Sequence, residues 1–168
     1  MSETQEITVA PASTDLLESF RECLDSVSRE RVYLNRLEAP SCSEMEERFA
    51  AGVRNRFMQD WATHGDQVVG WALVMPNDAF GLTHSSWLAL GVRRDFRRRG
   101  IGRRLMDGVI EKAWQSGLER IELIVWSDNR PAIDLYEKLG FQHEGVLRNF
   151  RFLDGKYTDA VMMALLRD

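Results

Sequence analysis

The sequence predicts an α/β protein built on a mixed sheet, and three observations indicate this class. An apolar strand, a helix and a second apolar strand follow one another over residues 84–126, which implies two parallel strands joined by a crossover helix. Two long segments on either side of Asp154-Gly155 predict an antiparallel hairpin at the C-terminal end. A second hairpin signal lies near residue 65, so parallel and antiparallel strands occur together.

Length and composition limit the classes of protein that the chain can represent. Its 168 residues fit one domain, residues 1–168, with a sizeable core. No apolar run is long enough to cross a bilayer, and the N-terminus lacks the basic region and apolar core of a secretion signal. Cys23 and Cys42 show neither a disulfide framework nor zinc spacing. We therefore expect a cytoplasmic protein with no metal and no membrane partner.

The N-terminal part of the chain predicts a strand and two helices. Residues 6–12 resemble a short strand, and Thr14 can cap a helix over residues 15–28. That helix has apolar residues at helical spacing, namely Leu16, Leu17, Phe20, Leu24 and Val27. Residues 29–42 look irregular. Ser43 and Glu46 form a capping-box pattern for a second helix that extends to about residue 58.

The middle of the chain alternates strands and helices. Gly65-Asp66 separates "DWATH" from "QVVGWALVMP" and predicts a hairpin, and residues 87–92 are almost continuously apolar, as in a buried central strand. A helix then begins near residue 100 and ends at Gly117. Its apolar stripe contains Ile101, Leu105, Val109 and Ala113, with Met106 and Ile110 beside it.

The C-terminal part predicts a strand, a third helix and the closing hairpin. "RIELIVW" is typical of a buried strand. In "DNRPAIDLYEKLG", Asp128 or Asn129 lies at the helix N-cap, Pro131 in the first turn and Gly140 past the end. "FQHEGVLRNFRFL" and "KYTDAVMMALL" complete the pattern as two antiparallel strands.

Residues 93–104, "RRDFRRRGIGRR", contain seven arginines in a chain whose net charge is -4. Two interpretations compete: a nucleic-acid patch, or a cradle for a small phosphorylated ligand. A helix N-terminus attracts anions, and Gly100 and Gly102 remove side chains that would block a phosphate. The Walker pattern is absent, and Leu105 replaces the third glycine of the dinucleotide pattern. A pI near 5.5 and the lack of a wider basic face disfavour nucleic acid.

Two motifs carry a resemblance to a known family. Arg97-x-x-Gly100-x-Gly102 follows an apolar strand, and "DNRPAIDLYEKLGF" fits the pattern Asn-x-x-Ala-x-x-x-Tyr-x-x-x-Gly-Phe one helix and one strand later. Over residues 5–167 the chain resembles the GNAT superfamily of N-acetyltransferases, and its closing segment is similar to bacterial members that acetylate small amines or amino acids. The resemblance implies the GNAT fold, a mixed central sheet with helices on both faces. It also implies acetyl-CoA as co-substrate and allows a homodimer.

The resemblance further implies roles for individual residues. A bulged strand would pair its backbone with the pantetheine arm, the arginine-rich loop would cradle the pyrophosphate, and Tyr136 would protonate the leaving CoA thiolate. The oxyanion would be held by a backbone N–H, for which Val92 is the candidate. The residues expected at the cofactor are Leu90, Gly91, Val92, Arg97, Arg98, Arg99, Gly100, Ile101, Gly102, Arg103, Asn129, Ala132 and Tyr136.

For the acceptor pocket and the general base, the sequence offers several candidates. The resemblance places the pocket at residues 29–37 and the final hairpin, with Arg29, Glu30, Tyr33 and Tyr157 as candidates. Arg29 could pair a carboxylate, and Glu30 could instead receive an ammonium group. Many relatives place a glutamate before the loop, whereas this chain has "HSSWLAL" there. His84, a water chain through Ser85 and Ser86, or an N-terminal acid such as Glu30 could serve as the base.

The favoured function is transfer of an acetyl group from acetyl-CoA to a primary amine of a small molecule. Two alternatives remain: acetylation of a protein N-terminus, such as that of a ribosomal protein, and a CoA-binding sensor without turnover.

Overall fold

The computed structural model describes residues 6–167, which form two compact units. The first contains residues 6–75 and 89–116, and the second contains residues 76–88 and 117–167. The described strands are β1 (Ile7–Pro11), β2 (Met58–His64), β3 (Gln67–Pro76), β4 (Ser85–Val92), β5 (Arg120–Trp126), β6 (Gln142–Leu153) and β7 (Lys156–Leu166). The described α-helices are α1 (Leu17–Arg29), α2 (Cys42–Arg54), α3 (Ile101–Gln115) and α4 (Arg130–Lys138). The strands form a mixed sheet in the order β1-β2-β3-β4-β5-β7-β6, which confirms the predicted α/β class.

In the first unit, β1, β2 and β3 are joined as antiparallel neighbours. Gly65 has φ 58° at the turn between β2 and β3, a left-handed conformation that glycine adopts without steric cost. The register of this hairpin shifts between Ala62 and Thr63, whose partners are Gly70 and Val68, so the extra residue of the bulge is Val69 on β3. The predicted hairpin at Gly65-Asp66 is therefore confirmed.

Helices cover both faces of β2. Successive side chains of a strand point to opposite faces, so Trp61 and Asp60 face different helices. On one face Trp61 stacks on Phe20 of α1, with ring centroids 4.6 Å apart. On the other face the buried Asp60 forms an ion pair with Lys112 of α3. Its carboxylate lies where a side chain at Gly108 would stand, 2.7 Å from a Cβ added there. The core on the Trp61 face consists of Phe20, Cys23, Val27, Met45, Trp61, Val68 and Trp71.

The second unit contains the parallel pair and the closing hairpin. β4 begins parallel to β5, with Ser85 opposite Arg120, and β7 lies antiparallel to both β5 and β6. Asp154 and Gly155 have φ values of 50° and 75°, so both central residues of the β6–β7 turn are left-handed, as hairpins prefer. The prediction of two long antiparallel strands is confirmed.

Helix α4 begins and ends where the sequence indicates. The side chain of Asn129 accepts a hydrogen bond from the Ala132 N–H, so Asn129 and not Asp128 is the N-cap. Pro131 lies in the first turn, and Gly140 has φ 94° just past the end.

Thr14 is not the cap of the first helix, contrary to the prediction. A 3₁₀ turn over Thr14–Leu16 precedes α1, and the residue before it, Ser13, accepts a hydrogen bond from the Asp15 N–H. The two neighbouring hydroxyl residues give the same sequence signal, and only the extended backbone of Ser13 presents its oxygen to the turn.

The predicted cap and end of the second helix are also wrong. Ser41 and Glu44 form the capping box of α2, and the helix ends at Arg54 and not near residue 58. Ser43 and Glu46 have the same spacing but lie inside the first turns of the helix. Because both pairs satisfy one pattern, the sequence could not choose between them.

Two smaller findings concern the cysteines and the helices. Cys23 is buried, Cys42 is exposed, and both are free thiols. Among residues 6–167, no helix is both long and apolar enough to cross a membrane.

Candidate active site

The arginine-rich loop leaves the end of β4 and leads into α3. The Arg93 N–H donates to the Val69 carbonyl at 2.8 Å, which fixes the end of β4 beside β3. Arg98 and Gly100 then adopt left-handed conformations, with φ values of 60° and 74°. Alternating left-handed residues turn successive N–H groups toward one side, an arrangement that binds anions. A Cβ added at Gly100 would meet no atom within 4 Å, so the approach to these groups is open.

The first turn of α3 has no side-chain cap. Helices α2 and α4 are capped by Ser41 and Asn129, whereas Gly100, the N-cap of α3, provides no side-chain acceptor. The first hydrogen bond along the helix runs from the Arg104 N–H to the Gly100 carbonyl, at 3.1 Å. The N–H groups of residues 101–103 therefore have no partner within the helix, and they carry the positive end of its dipole.

Four arginine side chains of the loop are already in contact with protein groups. Arg97 binds Glu30, Arg103 binds Asp107, Arg104 donates to the Ile7 carbonyl, and Arg99 lies over the Phe96 ring. The arginines thus do not form one cluster of unengaged cations. An anion at this loop would depend chiefly on backbone N–H groups, with the exposed Arg98 as an additional charge.

Arg97 brings together residues that the sequence assigned to two different roles. Its Nε donates to the Val92 carbonyl at 2.8 Å, and its two terminal nitrogens donate to the Glu30 carboxylate at 2.8 and 2.5 Å. The guanidinium carbon lies 4.5 Å from the centroid of the Tyr33 ring. Glu30 and Tyr33, predicted at the acceptor, therefore contact Arg97, predicted at the cofactor. Both Glu30 oxygens accept from Arg97, so an ammonium group would share the carboxylate with the guanidinium, and the predicted acceptor role of Glu30 stays a prediction.

Arg29 also has protein partners. It pairs with Asp25 at 2.5 Å and lies 3.6 Å from Glu38, with most of its side chain exposed. Its predicted contact with a substrate carboxylate stays a prediction, as do the acceptor roles of Tyr33 and Tyr157.

The glycine at the end of β4 has a packing role that the sequence did not indicate. A Cβ added at Gly91 would overlap the six-membered ring of Trp71, and the Gly91 carbonyl lies 3.1 Å from a Cβ added at Gly70. Glycine at position 91 is required by the close approach of the indole. The predicted bulge at residues 90–92 and the pairing of this backbone with pantetheine stay predictions.

In the second unit, the motif around α4 places Tyr136 in the interior. Tyr136 is 7% exposed, and its ring centroid lies 5.7 Å from that of Phe141. Among the residues described, none forms a hydrogen bond with its hydroxyl group, although the ring is enclosed. Burial raises the pKa of the phenol, so it remains protonated at neutral pH. The hydroxyl proton of Tyr136 is therefore not donated to any protein group among the residues described.

Two candidates for the general base, Ser85 and Ser86, are hydrogen-bonded to the main chain. The hydroxyls of Ser85 and Ser86 are buried and donate to the carbonyls of Leu82 and Arg120, at 2.8 and 3.0 Å. Those protons are therefore committed to the main chain. His84 is exposed and precedes the first residue of β4. The base stays unassigned.

The structure adds one feature near the closing hairpin that sequence patterns missed. β6 is bulged between Leu147 and Arg151, and the Asn149 N–H donates to the Asp159 carboxylate at 2.7 Å. An open cavity of about 670 Å³ lies at the bulge. Its lining consists of Val146, Leu147, Arg148, Asn149, Phe150 and Asp159. Strand alternation alone carries no signal for such a bulge, and only the tolerance of asparagine for φ 51° is consistent with it.

Comparison with known proteins defines the class. The model of the Acetyltransferase (GNAT) family matches residues 15–141. The chain is 31% identical to the L-amino acid N-acetyltransferase AaaT of Escherichia coli (strain K12), over 96% of this chain and 99% of that protein. The chain therefore belongs to the GNAT acetyltransferase family. It is an acetyl-CoA-dependent N-acetyltransferase.

Further relatives differ in their acceptors. The ribosomal protein bS18-alanine N-acetyltransferase of Salmonella typhimurium is 30% identical over 71% of this chain and 78% of its own length. The ribosomal-protein-alanine N-acetyltransferase of Brucella melitensis superimposes with a TM-score of 0.89 at 22% identity, covering 95% of this chain and 99% of that one. A phosphinothricin acetyltransferase of Sinorhizobium meliloti, in complex with acetyl-CoA, gives a TM-score of 0.88 at 20% identity, covering 95% and 88%. These structures establish the GNAT fold.

Proposed function

We propose that this enzyme acetylates the primary amine of a free amino acid or a closely related small amine, and that residues 1–168 act as one N-acetyltransferase domain. One observation carries the role of the acid: the Tyr136 ring is almost fully buried, burial raises the pKa of its phenol, and its hydroxyl has no hydrogen-bond partner among the residues described. The acceptor class is supported by similarity to AaaT, which extends over 99% of that protein.

The residues of the loop fit the diphosphate of acetyl-CoA. The unpaired N–H groups at the start of α3 would bind the phosphate oxygens, and Gly100 would leave room for them to approach. The backbone of residues 90–92 would pair with the pantetheine arm. Asn129 and Ala132, which are hydrogen-bonded to each other at the start of α4, would contribute the remaining cofactor contacts.

In the proposed reaction, the bound thioester supplies the acetyl group and the neutral amine attacks its carbonyl carbon. The Val92 N–H donates to the oxygen on which negative charge develops, and this stabilises the tetrahedral transition state. As the carbon–sulfur bond breaks, Tyr136 gives its proton to the departing thiolate. The proton lost by the amine returns through solvent to restore the phenol. No covalent enzyme intermediate forms.

A protein N-terminus is the second candidate acceptor. It is favoured by similarity to the ribosomal protein bS18-alanine N-acetyltransferase, which covers 78% of that protein. The fuller match to AaaT, at 99%, makes the free amino acid the first choice. Homodimerisation and a cytoplasmic location remain predictions.

The test is release of the CoA thiol in the presence of acetyl-CoA and single amines. The panel contains methionine, phenylalanine, a polyamine, an aminoglycoside and a peptide with a free N-terminus. Because Cys42 is exposed, its reaction with the thiol reagent is subtracted with a blank that lacks amine. Turnover with free amino acids, with the acetylated product identified by mass spectrometry, supports the proposal. Turnover with the peptide alone overturns it in favour of the second candidate.

A further inference from the structure

Glu30 and Arg97 form an ion pair between two segments that are 67 positions apart in the chain. Glu30 is the C-cap of α1, and Arg97 follows the 3₁₀ turn Arg94–Phe96 in the loop. Their side chains are 18% and 27% exposed, whereas those of the pair Arg103–Asp107 are about half exposed, at 52% and 53%. Exposed ion pairs contribute little to stability, whereas a forked, largely buried pair holds both side chains in a defined orientation.

The pair controls the orientation of one peptide group. While the terminal nitrogens of Arg97 bind Glu30, its Nε binds the Val92 carbonyl at 2.8 Å. The other side of the same peptide is held as well, because the Arg93 N–H donates to the Val69 carbonyl at 2.8 Å. Both hydrogen-bonding groups of the Val92–Arg93 peptide are therefore fixed. This peptide adjoins the Val92 N–H that the proposed function places at the oxyanion.

We propose that Glu30 is a positioning residue for acetyl transfer, which acts through Arg97 on the backbone of Val92. The inference rests on the proposed function of the Val92 N–H. Two simpler roles compete with it: Glu30 would receive the substrate ammonium, or Arg97 would bind phosphate. The ion pair favours positioning over both, because it engages the two side chains with each other. Tyr33 contributes by covering the guanidinium with its ring, 4.5 Å away.

The kinetic constants of Glu30→Gln separate these roles. Loss of a charge-assisted, forked hydrogen bond should lower kcat by about tenfold, because the oxyanion contact matters in the transition state. The dissociation constant of acetyl-CoA and the KM of the amine should stay within about twofold. A raised amine KM at unchanged kcat would instead place Glu30 at the acceptor. A lower melting temperature with unchanged kcat would show a structural role only, and either result overturns the inference.

The second measurement asks whether Glu30 acts through Arg97. The double variant Glu30→Gln/Arg97→Lys should be no slower than Arg97→Lys alone, because the pathway is already broken, whereas multiplied losses would contradict the proposal. Glu30→Asp should recover part of kcat. As the control, Glu144→Gln loses a similarly forked pair with Arg120, at 2.8 and 2.5 Å, and should retain kcat.

A failure of the proposed function is recognised separately. If the wild-type chain turns over none of the amines, the amide NMR signals of Val92 and Arg93 still report on the backbone. We expect both signals to shift in Glu30→Gln and to stay in place in Glu144→Gln. Unshifted signals in Glu30→Gln would overturn the positioning role whatever the acceptor is.

Discussion

The indole ring of Trp71 occupies the space that a side chain at Gly91 would need. A Cβ added at residue 91 overlaps the six-membered ring. Trp71 in turn contacts Phe20 of α1 edge to face, with ring centroids 5.8 Å apart. The end of β4, which leads into the candidate cofactor loop, is thus packed directly against the aromatic core of the first unit.

Gly91→Ala should therefore destabilise the protein by about 3 kcal/mol, since the overlap forces the indole or the strand to move. Urea unfolding monitored by fluorescence measures the loss. Gly145→Ala is the control, because a Cβ at that position meets nothing within 4 Å, and it should cost less than about 1 kcal/mol. Trp71→Leu in the Gly91→Ala background should recover part of the stability. Equal stabilities of the two alanine variants would refute the packing argument.

Gly100→Ala should weaken acetyl-CoA binding by about tenfold or more, because the added methyl group would stand at the approach to the α3 N–H groups. Isothermal titration calorimetry measures the affinity. Gly117→Ala is a matched control at the other end of α3. Gly100 and Gly117 have φ values of 74° and 91°, and neither has an atom within 4 Å of an added Cβ, so both variants carry similar backbone strain. Only the first should lose cofactor, and equal affinities would remove the loop as the diphosphate site.

Tyr136→Phe should lower kcat by about 100-fold, which is typical of the loss of a general acid. Its melting temperature should stay close to that of the wild type, because the hydroxyl makes no hydrogen bond with the residues described. The dissociation constant of acetyl-CoA should also be unchanged. A normal kcat would exclude Tyr136 as the acid, whereas a large loss of stability would show that its hydroxyl has a structural partner.

Stability should decline at alkaline pH because of Cys23. Burial raises the pKa of this thiol to about 12 from an ordinary value of 9.0. The unfolded chain therefore loses the thiol proton at a lower pH than the folded chain does. The contribution of Cys23 to the free energy of unfolding is complete below pH 9 and is lost as the pH rises toward 12. At pH 10.5 the free energy of unfolding should be lower by about 2 kcal/mol from this thiol.

Urea unfolding at pH 7, 9 and 10.5 measures this decline. Cys23→Ala should be less stable at pH 7, because it leaves a cavity, and should show a shallower decline above pH 9. Some slope should remain, because burial raises the pKa of Tyr136 as well. If the free energy of unfolding of Cys23→Ala declined as steeply with pH as that of the wild type, the decline would not come from Cys23. Cys42→Ala is the exposed comparison: a hydrogen bond to Glu18 raises the pKa of that thiol as well, so this variant should flatten the decline less than Cys23→Ala does.

The elements of the fold were accessible from the sequence because their signals are local. The stripe Ile101, Leu105, Val109 and Ala113 is fully buried in α3, as its spacing predicted. Turn residues such as Gly65 and Gly155 mark both hairpins through conformations that few other residues adopt. Local signals fail where one pattern occurs twice, and Ser41 rather than Ser43 became the cap of α2 for that reason.

The sequence by itself determined the α/β class, the family and the positions of the two motifs, since each depends on residues close together in the chain. Only the tertiary structure decided that Glu30 binds Arg97 and that Gly91 accommodates Trp71. Their partners lie 67 and 20 positions away, and no periodicity or spacing links them. The sequence alone does not show whether a charged or a small residue contacts solvent, substrate or protein. Packing of the folded chain brings Glu30 to Arg97 and Gly91 to Trp71, and these contacts determine what each residue does.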